Sequence, residues 1–209
     1  MKTNDLATLR YDWLAPKYDW LAAEMPPGYR NRLEEVQRLT RDLAEMERFG
    51  RLLYAVGDEL SDAVLHAFVA IGFEAVATPA ANALSIEVRL DAARRLLIHV
   101  SASAHAIERR DDDLAQVFNM LHARAGHGDR VVLVSNIDPA TRPADRHEGV
   151  TADALDLLTR LGANHLPGPT LFAIWSRSHD NRELARAFVD RLHAQDGGVF
   201  LTPAAALGV

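Results

Sequence analysis

The chain has 209 residues, 48% of them hydrophobic, which suffices for one generous packed domain or a domain with an accessory arm and excludes a disordered composition. Cysteine is absent, which excludes disulfides and thiolate zinc sites and makes a cytoplasmic location the expectation. The net charge of −6 argues against a protein whose main work is gripping phosphate backbones, because that affinity comes largely from Lys and Arg.

Apolar runs such as Val131–Val134 are too short to cross a bilayer, so no membrane association is expected. Met1-Lys2-Thr3-Asn4-Asp5 lacks the apolar region of a secretion signal. The first segment holds a repeat: Tyr11-Asp12-Trp13-Leu14-Ala15 returns as Tyr18-Asp19-Trp20-Leu21-Ala22, seven residues on. That shift puts like side chains on nearly one helical face, but Pro16 interrupts it, so two short helical turns are expected. Tyr11, Trp13, Tyr18 and Trp20 are candidate interaction residues, since aromatic side chains anchor interfaces; packing of the arm on the core is the competing reading. Pro26-Pro27-Gly28 ends the segment.

From Asn31 to Phe49 the apolar positions Leu33, Val36, Leu39, Leu43, Met46 and Phe49 recur at helical spacing, with charged residues on the other faces. This stripe suits docking on a neighbouring surface or self-association. Residues 1–50 therefore read as a helical N-terminal arm, and 51–209 as a mixed α/β domain. In that domain Asp58 or Ser61 is placed to cap a helix carrying Leu60, Val64, Leu65 and Phe68 and ending near Gly72. Strands are expected at Phe73–Ala77, Leu84–Leu90 and Arg95–Ser101, with a turn at Ala92-Ala93-Arg94. Asp111–Asp113 opens a helix whose dipole suits three acids. Arg130–Ser135 is a strong central strand, Thr151 caps a helix stopped by Gly162, and Asn164–Leu166 is a short strand. A helical turn from Pro169 to Trp175 and an amphipathic helix from Asp180 to Ala194 follow. This order predicts a mixed sheet with helices on both faces.

Several segments carry a resemblance: Leu52-Leu53-Tyr54 with Gly57 and Leu60; Ile71-Gly72-Phe73-Glu74-Ala75; Leu96–Ser103; Asp113-Leu114-Ala115-Gln116; and Val132–Asn136 with Pro143 and Arg146. In order and spacing they resemble the restriction-endonuclease-like domains of the PD-(D/E)XK superfamily, over roughly 51–203. That family holds Mg²⁺ with carboxylates on neighbouring strands and uses a Lys two residues on to orient water and stabilise charge. The resemblance places its strand acids at Ser85 and His99, its Lys at Ser101 and its helix acid near Ser61. None of these four positions holds an anionic ligand, and the only lysines, Lys2 and Lys17, lie in the arm. An imidazole and three hydroxyls make a poor Mg²⁺ site.

The resemblance therefore implies a catalytically degenerate, non-enzymatic bacterial domain without metal or cofactor, acting as a scaffold or protein-interaction module for an unidentified protein partner or as a homodimer. A non-cleaving module that binds nucleic acid weakly is the alternative, and a nuclease with a relocated site, using Glu87 with Asp91 or Glu108, is a third. Arg94-Arg95, Arg109-Arg110 and Arg124 could edge a nucleic-acid groove, although Asp111–Asp113 partly cancels them. His99 with Ser101 could suggest a base and a nucleophile, but neighbours two apart on a strand need not bond to each other. His122 and His127 are off the spacing that aligns two helical zinc ligands.

Overall fold

The computed structural model describes residues 27–79, 84–123, 125–146 and 149–200. Tyr11, Trp13, Tyr18 and Trp20 lie outside the described residues, as do Arg124, His147 and Glu148. The chain divides into two compact units, 1–46 and 47–209.

The first described element, α1, runs from Pro27 to Tyr54. Gly50 does not end it. Phe49 and Leu52 are buried in the core of the second unit, and that burial offsets the roughly 1 kcal/mol a helical glycine costs. Earlier in the helix the environment is different. Val36, Leu39, Leu43 and Met46 are 53%, 52%, 61% and 53% exposed.

The second unit is an α/β layer structure. Its sheet has six strands in sequence order: β1 (Glu74–Pro79), β2 (Leu84–Arg89), β3 (Arg95–Ser103), β4 (Asp129–Ile137), β5 (Asn164–Pro167) and β6 (Gly198–Val199). The first three form an antiparallel meander, and β3 to β6 run parallel. Parallel neighbours need crossovers: α3 (Asp112–Ala123) joins β3 to β4 and α4 (Ala152–Leu161) joins β4 to β5. The β2–β3 turn is closed by Asp91, whose Oδ1 accepts from the Ala93 and Arg94 amides at 2.9 and 2.8 Å.

Strand alternation sorts side chains between two cores. Ile86, Val88, Leu96, Ile98, Val132, Val134 and Leu166 join the core built with the end of α1, α2 (Gly57–Ile71), α5 (Gly168–Asp180) and α6 (Arg182–Ala194). Leu97, Val131, Leu133 and Ile137 face the smaller core under α3 and α4. Trp175 of α5 stacks on Phe49 with ring centroids 4.1 Å apart. Gly168 permits a close approach: a methyl there would overlap the carbonyl of Leu52.

The mixed sheet flanked by helices is as the sequence indicates, but several local expectations are corrected. Neither Asp58 nor Ser61 caps α2; Val56 occupies the cap position and Ser61 Oγ donates back to the Gly57 carbonyl. Thr151 precedes α4 but its hydroxyl turns to the Ile107 carbonyl at 3.3 Å, not to the helix. The C-terminal helix starts at Arg182, after a break at Asn181 whose side chain accepts from the Leu184 amide at 2.9 Å. Asp180 instead ends α5.

Candidate functional site

The end of β3 opens into a cleft of about 610 Å³ between the first turns of α2 and α3. Gly57, with φ of 57°, takes the left-handed conformation that turns the chain into α2 and places Asp58 and Ser61 on one rim. Before the other rim, Asp111 accepts from the Glu108 amide at 2.8 Å in a side-chain turn that leads into α3. Asp112, Asp113 and Gln116 follow from the first turns of that helix. His99 and Ser101 of β3 form the floor between them, both turned to the α3 face.

Three of the four positions singled out by resemblance therefore share one cleft: Ser61, His99 and Ser101. Ser85 is 2% exposed and lies directly opposite His99 across the β2–β3 ladder. Its hydroxyl donates to the Thr78 carbonyl at 3.2 Å.

Sequence reasoning missed the residue that organises the cleft. Asp113 accepts from Ser101 Oγ at 2.6 Å through Oδ2, and its Oδ1 lies 2.8 Å from His99 Nε2. Burial pushes the Asp113 carboxyl up, but the bonds from His99 and Ser101 and the attraction of the imidazole outweigh it and hold the group below its ordinary value. The geometry excludes one chemistry. Ser101 donates to the carboxylate and not to an imidazole nitrogen, so the serine–histidine relay of a nucleophilic hydrolase is not formed here.

The acids named for a relocated site do not converge on the cleft. Glu87 accepts from Arg95 Nη1 at 2.9 Å, Asp91 serves the hairpin turn, and Glu108 is exposed beside Arg109 and Arg110. Arg95 is held by Asp129 at 2.7 Å as well as by Glu87, and these partners raise its pKa. Arg94 pairs with Asp91 and Asp190. Among the described residues no three His, Asp or Glu side chains are grouped to hold a metal ion. Among the described residues, Asp58, Asp112 and Asp113 carry the acidic charge of the cleft lining, and neither Arg nor Lys lines it.

Two further polar clusters lie beneath β4 and β5. Asn136 donates to the Ala55 carbonyl at 2.9 Å and accepts from Arg146 at 2.6 Å, while Arg146 also donates to the carbonyls of Leu53 and Thr141. Burial lowers the Arg146 pKa. This clasp ties the loop after β4 to the end of α1. On the opposite face His165 is 1% exposed, with Nε2 at 2.7 Å from Ser135 Oγ and no hydrogen-bond partner for Nδ1 among the described residues. Burial pushes its pKa down to about 4, so the ring is neutral.

No helix among the described residues is long and apolar enough to cross a membrane. Compared with known protein families, with characterised proteins and with solved structures, the chain matches none.

Proposed function

We propose that the chain is a protein-interaction module built on a nuclease-like α/β domain that has given up phosphodiester chemistry. The single observation that carries this reading is the row of Val36, Leu39, Leu43 and Met46, each more than half exposed on α1. An apolar row of this kind stays in water only at a cost and marks a contact surface.

The cleft supports the other half of the reading. Its lining acids repel a phosphate backbone, and its carboxylate nearest the motif positions is already engaged by His99 and Ser101. The non-cleaving nucleic-acid reading needs a basic concavity at this place, and the lining carries the opposite sign.

Affinity capture from the native host tests the proposal, comparing the wild-type chain with Leu39→Asp/Leu43→Asp. Proteins held by the wild type and lost from the variant are expected. A capture profile unchanged by the variant, together with nucleic acid retained by both, would overturn it.

A further inference from the structure

The exposed row follows a heptad rule. Val36 and Leu43 take positions a, and Leu39 and Met46 positions d, the spacing that forms a seam between two helices. Tyr29, 62% exposed, takes the preceding position a, with Arg32 at the d position between them. The helix is 28 residues long, about 42 Å at 1.5 Å per residue, so these positions span a usable docking length.

The flanks of the seam decide what can lie on it. Glu35 and Asp42 hold the g positions, and Thr40 and Glu47 hold e positions, all exposed. Arg38, one place further from the seam, is engaged within the helix by Glu35 at 2.7 Å and Asp42 at 3.0 Å. A second copy laid parallel would set Asp42 against Glu47 of that copy. Laid antiparallel, it would set Glu35 against Asp42. Each arrangement brings like charges together across the seam and offers no opposite pair at these positions.

We infer that this face of α1 docks one amphipathic helix of another protein, apolar at its own a and d positions and flanked by Lys or Arg. The inference rests on the protein-interaction reading above and names the partner's chemistry. Basic flanks convert each repulsive pairing into an attractive one, and charge at e and g is what selects partners in helical seams.

The test uses the full chain and two synthetic helical peptides of about three heptads, with Leu at a and d. One peptide carries Lys at every e and g, the other Glu. The Lys peptide should bind by fluorescence anisotropy at least about tenfold more tightly than the Glu peptide, a ratio built from several exposed ion pairs, and the preference should shrink as salt rises. Leu39→Asp/Leu43→Asp should bind neither peptide while its circular dichroism stays that of the wild type. Glu35→Lys/Asp42→Lys should reverse the preference. Equal binding of the two peptides, or binding of neither, would overturn the inference. So would a wild-type dimer by light scattering that the Asp variant abolishes; that result would keep the interaction reading and make the partner a second copy. Binding seen only after Trp13→Ala/Trp20→Ala would assign the face to the chain's own arm and overturn the inference too.

Discussion

Acidification should destabilise the α/β unit through His165. The ring is fully buried, its Nδ1 is unpartnered among the described residues, and its pKa is pushed down to about 4 by burial alone. An unfolded histidine titrates near ~6.5, so the folded value is the depressed one. The stability tied to the neutral ring is therefore fully present above about pH 6.5 and is lost as pH falls towards and through about 4. That difference in pKa corresponds to roughly 3 kcal/mol in full, of which about 2 kcal/mol is gone by about pH 5. Asp113 and Asp129, whose pKa values are lowered, contribute stability that begins to fall as pH drops into the ordinary carboxylate range near ~4 and is lost below it, so most of the His165 loss comes first. Urea unfolding followed by circular dichroism from about pH 7 to about pH 4.5 reads the loss. His165→Gln, which keeps a group able to bond Ser135, should start less stable but show a much flatter dependence over that window. Parallel losses in wild type and variant would refute the assignment to His165.

Three other perturbations have stated outcomes. Asp113→Ala leaves His99, 5% exposed, without its carboxylate partner and should cost about 2 kcal/mol in chemical denaturation, since an orphaned buried polar group loses its full desolvation term. Asn136→Ala breaks the bonds to Ala55 and Arg146 together, and thermal melting should show a loss of about 2–3 kcal/mol. Gly168→Ala drives a methyl into the Leu52 carbonyl and should destabilise by about 3 kcal/mol or more, whereas Gly28→Ala, with open space around it, should be neutral or mildly stabilising.

Local periodicity made much of this legible. The alternation of Leu96 to Ser101 places His99 and Ser101 on one face, and the strand at 129–137 is apolar on both faces because helices cover both. What the sequence hides is long-range pairing. Asp113 reads as one of three acids favourable at a helix start, and nothing local says that it alone reaches back to β3. The Asn136–Arg146 bond joins residues on either side of a loop, and its carbonyl acceptors come from the end of α1. Gly50 misleads because local helix propensity is a weak preference that the burial of Phe49 and Leu52 overrides. Asn181 is overlooked because an amphipathic pattern continues across the break it caps.

We propose that this cleft does not carry out metal-dependent phosphodiester hydrolysis, and a cleavage assay puts that to the test. Supercoiled DNA and single-stranded RNA are incubated with the purified 209-residue chain in Mg²⁺ and in Mn²⁺, alongside Asp113→Asn. The account predicts intact nucleic acid in every lane, because Ser61, Ser85, His99 and Ser101 supply no carboxylate and Asp113 is spent on His99 and Ser101. Metal-dependent cutting by the wild type that Asp113→Asn abolishes would contradict it and make Asp113 a ligand of a working site.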